Sequence, residues 1–246
     1  MVCFPVTIPT EAVFRDPSAW YHLVVAVDTT QAANADRVKM YVNGVQQTTT
    51  GTITQNRNTF INGTTQHDIG KYGSGVSHKL DATIANYHFV DGYQKAPTDF
   101  GFTDSDNVWQ PKAYSGSYGT NGFHLDFADT SSATALGNDV SGNNNDWTPS
   151  GLVAGPAYTA NSWSTEFDGT GDFLSIPASS DLNVGSGDFT AEAWVYPTGY
   201  GEIVGAFNLN NPYNGWIWSL SFNSSGGKQI LWLIVTGKLR LHIQPL

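Results

Sequence analysis

The sequence predicts an all-β protein, and three observations carry that prediction. Among the acidic residues there are 17 Asp against 4 Glu, and Asp belongs in turns and loops where Glu favours helices. The 26 Gly and 11 Pro fall between short β-rich runs, where they punctuate rather than interrupt. Apolar residues recur with the period of two expected of strands, and no stretch repeats with the period of a helix.

The first run is Trp20–Asp28, WYHLVVAVD. The second, Arg37–Val45, ends on Asn43-Gly44, a dipeptide suited to a primed hairpin turn. Further strands are predicted at Thr59–Ile61, His67–Ile69 and Leu80–Val90, the last with an apolar alternation through Ile84, Tyr87 and Phe89. Residues 94–162 differ in texture, being rich in Gly, Ser, Asn, Asp and Pro, with one strand at Gly122–Phe127. Trp109, Tyr114, Tyr118, Phe123, Phe127 and Trp147 anchor this segment as no solvated linker would need. It is therefore expected to connect residues 1–93 with 163–246 and to lie over a sandwich. Strands resume at Thr165–Gly169, Phe173–Ile176, Asp188–Tyr196, Glu202–Phe207, Trp216–Phe222 and Gln229–Val235. In Asp188–Tyr196 the residues Phe189, Ala191, Ala193 and Val195 face one way, and Thr190, Glu192, Trp194 and Tyr196 the other. Both faces of that strand are expected to be partly covered, with Trp20 and Trp194 in the core.

Charge and cysteine content narrow the partners. A net charge of -10 without a Lys/Arg cluster repels phosphate backbones and excludes nucleic acid. Divalent cations are the natural counter-charge. Cys3 stands alone, which removes an internal disulfide framework and a thiolate zinc site. No run reaches the ~18 apolar residues of a membrane helix, and Met1-Val-Cys-Phe-Pro lacks the basic start of a secretory leader, so no membrane insertion is expected.

Two groups of motifs carry a resemblance. TEFDGTGDFLSIPASSDLNVGSGDFTAEAWVYPT resembles the opening half of a laminin-G-like domain, and SAWYHLVVAVDTT, RVKMYVNGVQ and LDATIANYHFVDG resemble its closing half. Together they span roughly residues 18–92 and 163–240. The middle motifs YGTNGFHLDFADTSS, ALGNDVSGNNNDWTP and VWQPKAYSG resemble segments that link or open such domains in phage virion proteins. The resemblance implies an antiparallel jelly-roll β-sandwich of the concanavalin A-like class, displayed on a virion or outside a cell. Here the closing half precedes the opening half. Either the chain is cut from a tandem array, or its halves complement one another as a circular permutant of one sandwich. Pairing is favoured, because half-sandwiches would expose long unpaired edges.

Candidate chemistry is sparse. Retaining glucanases of this fold carry a Glu-x-Asp-x-x-Glu strand with carboxyls ~5–5.5 Å apart. Glu192 is the nearest counterpart, but it has no second carboxylate at i+2 or i+4, so a structural role on a solvent face is expected. His22, His67, His78, His88, His124 and His242 show no metal-ligand spacing. Asp139, Asn143 and Asn145 place oxygens at near-alternate positions around a glycine, a pattern able to wrap calcium or to form an Asx-bonded turn. In the resembled family calcium sits between an early loop and a carboxylate near the closing strand, which is Asp81 here; Asp168 and Asp172 form a second candidate. Asn208, Asn210, Asn211, Tyr213 and Trp216 combine amides with aromatic faces, as a sugar subsite requires, although Trp216 and Trp218 also read as core. The expected function is a non-catalytic structural or recognition module of a phage virion or tail fibre. Its partners would be a host-surface glycan or receptor and other virion proteins. The alternative is a secreted bacterial carbohydrate-binding or adhesion module.

Overall fold

The computed structural model describes residues 6–14, 16, 18–59, 66–71, 79–154, 163–177, 187–208, 214–222 and 228–236, with the backbone alone at 207–208, 214–215, 221–222 and 228–236. The first strands are β1 (Val6–Pro9), β2 (Tyr21–Val27), β3 (Val38–Val42), β4 (Val45–Gln46), β5 (His67–Ile69) and β6 (Asp81–Asp91). The middle of the chain supplies β7 (Gly101–Thr103), β8 (Trp109–Pro111), β9 (Phe123–Leu125), β10 (Thr148–Ser150) and β11 (Val153–Ala154). The last part contributes β12 (Thr165–Asp168), β13 (Phe173–Ile176), β14 (Phe189–Pro197), β15 (Gly201–Asn208), β16 (Asn214–Phe222) and β17 (Lys228–Thr236). Helix among the described residues is confined to single turns at Asn34–Arg37, Pro97–Asp99 and Thr134–Gly137. The predicted strand at Thr59–Ile61 lies largely outside the described residues.

These strands form an antiparallel β-sandwich. One sheet has the order β1-β17-β16-β15-β5-β13-β10. The other runs β11-β12-β6-β14-β2-β3-β4, with β9 also paired to β6. Strands from the two ends of the chain alternate in both sheets: β14 lies between β2 and β6, and β5 between β13 and β15. Their inward rows meet in one core that includes Leu23, Val25, Met40, Phe167, Phe189 and Trp218.

Local chemistry explains the joints. Asn43 and Gly44 take φ of 49° and 78°, the pair of positive angles that a primed turn demands, and the Asn43 carboxamide accepts the His22 N–H at 2.8 Å. Proline removes a ladder donor, and it is found where donors are not missed: Pro9 on the edge strand β1 and Pro149 on the edge strand β10. In β6 the pairing to β14 shifts between Glu192 and Trp194, and Asn86 opposite the shift has φ 49°. This is a bulge, with one extra residue in β6. It moves the inward set from Ala82 and Ile84 to Tyr87 and Phe89, which explains the three-residue step in the alternation.

The middle segment does more than lie over the sandwich. Because β12 pairs with β6 only as far as Ile84, the later half of β6 would be an open edge, and β9 fills it at Tyr87–Phe89. With β9 come Phe123, Leu125, Phe127, Leu136 and Trp147, all of them part of the inter-sheet core.

Trp216 and Trp218 are both core residues. Trp20 is half-buried against Tyr196 at 5.6 Å between ring centroids, outside the core that the sequence assigned to it, because it precedes β2 on the outward side. A cavity of about 10 Å³, lined mainly by aromatic and apolar side chains, remains between Tyr87, Phe123, Trp147 and Trp216. The Tyr87 ring is fully buried and stacked on Phe123 at 5.6 Å, and its hydroxyl has no hydrogen-bond partner among the described residues. An unbonded buried hydroxyl costs about 1–3 kcal/mol. Tyr87→Phe is therefore expected to raise the thermal midpoint, by the equivalent of about 1 kcal/mol or more; a fall of that size would mean the hydroxyl is bonded.

Candidate functional site

The outward face of the eight-stranded sheet carries a row of titratable side chains. Glu192 on β14 stands directly opposite His88 on β6, which stands opposite His124 on β9. His22 on β2 faces Trp194, one pleat repeat along from Glu192. The bulge at Asn86 builds this row, because without the extra residue His88 would turn into the core and Tyr87 out of it.

A strap formed by residues 93–122 crosses the row. Lys95 N–H donates to Thr190 Oγ1 at 2.7 Å, and Phe100 buries its ring with Val24 and Val90. The β7–β8 hairpin sets Trp109 on the His22 ring at 5.6 Å. The indole fits because both flanking residues lack a side chain: a Cβ on Gly44 or on Gly101 would come within 2.4 or 2.5 Å of it. Tyr114 stacks on Phe100 at 5.0 Å, and Tyr118 lies over His88.

The hydrogen bonds fix the protons. Trp109 Nε1 donates to His22 Nδ1 at 2.9 Å, and an indole N–H can only donate, so neutral His22 carries its proton on Nε2. That nitrogen comes within 2.8 Å of Glu192 Oε1, close but out of line for an N–H···O bond. The Tyr118 hydroxyl is 2.7 Å from His88 Nδ1, which leaves His88 Nε2 turned to Glu192 Oε2 at 3.6 Å. His88 and His124 stack at 3.9 Å, and His124 Nε2 reaches Asn86 Oδ1 at 3.3 Å.

Burial decides the charges. Glu192 is 1% exposed and His22 0%. Desolvation pushes the Glu192 carboxyl well above the usual range and holds His22 down at about 3. It depresses His88 and His124 as well, with neighbouring imidazoles adding to the effect on His88. Burial therefore favours the uncharged form of every group in the row, a protonated carboxyl among neutral imidazoles.

Glu192 thus does not occupy a solvent face. The strap covers it, and local spacing gave no hint of that cover. Trp194 is buried, but beneath the strap, 5.0 Å from His22, rather than between the sheets. A metal at His22 Nε2 would require a proton on Nδ1, where the Trp109 N–H already points. Among the described residues no group of three His, Cys, Asp or Glu side chains is placed to hold a metal ion.

The residues proposed for calcium fall into two places. Beside β9, Asp139 Oδ1 accepts the N–H groups of His124 and Ser141, and Oδ2 accepts Ser141 Oγ and Asn145 N. Asn143 and Asn145 present amide nitrogens to the Gly119 and Gly122 carbonyls. At the other end of β6, Asp81 pairs across the strands with Asp168 and accepts Thr198 Oγ1. Asp168 caps Thr170 and Gly171, while Asp172 Oδ2 accepts the Asp168 N–H at 3.0 Å. Of the residues proposed for sugar, Asn210, Asn211, Tyr213 and the Asn208 side chain lie outside the described residues. Trp216 faces the core beside His67.

Sequence reading missed two further carboxyls on adjacent strands, Asp68 on β5 and Glu202 on β15. Burial raises both, Glu202 to about 8. No family model, curated protein or solved structure matches this chain.

The row sets a pH profile for stability. His22, His88 and His124 are depressed from 6.5, so their contribution is complete above pH 6.5 and is lost as the pH falls below it. Glu192 is raised from 4.5, so stability declines from pH 4.5 upward until the folded-state value is passed, by about 1.4 kcal/mol per pH unit. Below pH 6.5 the three imidazoles are opposed by Glu192 and by Glu202, which burial raises to about 8. Stability from denaturant melts is expected to fall on the alkaline side of pH 6.5, and Glu192→Gln is expected to make that limb shallower, leaving the part due to Glu202; an unchanged limb would mean that Glu192 is ionised in the fold.

Proposed function

We propose that the chain is a laminin-G-like module that works by recognition or assembly rather than catalysis, in a phage virion or tail fibre. A host-surface glycan and other virion proteins are its partners. The observation that carries this reading is the sealed row: the most strongly perturbed titratable groups on the outward face hold a strap in place, and a catalytic pair would instead face a cleft. The alternation of strands from the two ends of the chain supports the reading of its motifs as a permuted concanavalin A-like jelly roll.

Glycan-array binding by the purified chain, followed by assay of the bound polysaccharide for new reducing ends, tests this. Binding without release is expected. Release that disappears in Glu202→Gln would replace the reading with glycoside hydrolysis by the Asp68 and Glu202 carboxyls, since an acid raised to about 8 is suited to protonate a leaving group.

A further inference from the structure

We propose that residues 93–122 form an acid-released latch, in which proton uptake by His22 and its row lifts the strap off the eight-stranded sheet while the sandwich stays folded. The inference stands apart from the proposed function and rests on the geometry of the row.

His22 is the group that the docked strap cannot hold in charged form. An imidazolium carries N–H on both nitrogens, so at Nδ1 it would set a donor against the Trp109 N–H, 2.9 Å away. His88 is more tolerant, because a tyrosine hydroxyl can accept as well as donate, and Tyr118 can reverse its role. The clamp of Gly44 and Gly101 leaves the indole no room to turn aside. Relief requires the β7–β8 hairpin to move.

Among the described residues, the groups that face the row offer His22 no charged partner. Glu192 comes from β14, His88 from β6, and His124 from β9. Asp126 and Asp139 follow β9 and bear on His124. From the strap come Tyr114 and Tyr118, with Asp99 beside Tyr114 and Lys95 at 5.8 Å from its ring. The carboxyl within reach of His22 is Glu192, kept neutral by its burial.

The strap can also leave without dismantling the sandwich. The β7–β8 hairpin pairs only with itself among the described residues. The strap's ties are side-chain contacts and separate hydrogen bonds concentrated at its two ends: Lys95 N to Thr190 Oγ1, Thr190 Oγ1 to the Tyr93 carbonyl and Gln94 Nε2 to the Asp36 carbonyl at one, and Asp91 N to the Tyr118 carbonyl, Asn121 to Asp91 Oδ2, and Asn143 and Asn145 to the Gly119 and Gly122 carbonyls at the other. No ladder of either sheet is broken by its removal, so local opening costs less than global unfolding.

Once released, the imidazoles return toward their solvated value and take up protons as the pH falls below about 6.5, so acid shifts the equilibrium toward the released strap.

Hydrogen exchange of the full chain, corrected for the intrinsic pH dependence, reads this directly. In the native protein, amides of residues 100–112 are expected to lose protection at a higher pH than those of β2, β6 and β14. His22→Asn, whose Oδ1 takes the place of Nδ1 as acceptor for Trp109 and cannot be charged, is expected to move the strap's midpoint at least one pH unit lower. Simultaneous loss of protection in strap and strands would overturn the proposal, as would an unmoved midpoint in a folded His22→Asn chain. If that variant does not fold, the comparison of strap with strands in the native protein decides.

Discussion

Glu192 stands in the middle strand of a sheet with its carboxyl out of water, and the other features of that face follow from keeping it so. An isolated buried carboxylate would be costly, and pairing it with a charged imidazole would require desolvating two ions. Here burial favours the protonated carboxyl and the uncharged form of its neighbours. Neutrality depends on exclusion of water, and exclusion depends on Trp109, Tyr114, Tyr118 and Phe100 lying across the row. The strap is thus both the cover that sets the protonation states and the element that those states hold down.

That arrangement constrains the sandwich beneath. β14 must lie between β2 and β6 to set His22 and His88 on either side of Glu192, which joins the two ends of the chain in one sheet. The bulge at Asn86 must re-phase β6 so that His88 points outward while Tyr87 and Phe89 stay in the core. β9 must fill the remaining edge of β6 so that His124 stacks on His88. Asp139 then fixes β9 through the His124 N–H, and Asn143 and Asn145 tie the same loop to the strap's carbonyls.

Much of the scaffold was legible in the sequence. The runs at Trp20, His67, Leu80, Phe173 and Asp188 became strands because their β-branched and aromatic content and alternation are local properties. The Asn43-Gly44 turn was legible for the same reason. β1, β8 and β10 escaped notice because Pro9, Pro111 and Pro149 mark loops by composition, and only their places at sheet edges make them strands. The row was hidden by distance, since His22, His88, His124 and Glu192 are brought together by pairing alone. A trace of it existed. Tyr21-His22-Leu23, Tyr87-His88-Phe89 and Phe123-His124-Leu125 each set a histidine between an aromatic and an apolar residue inside a β-run, where a polar side chain on an outward position needs a cover.

The central claim is the neutral, strap-covered carboxyl, and a carbon-13 NMR titration of the Glu192 side chain tests it most directly. The chemical shift of a protonated carboxyl at pH 6.5, with His22 in the Nε2–H tautomer, is the result this account predicts. An ionised Glu192 beside a doubly protonated His22 at that pH would contradict it.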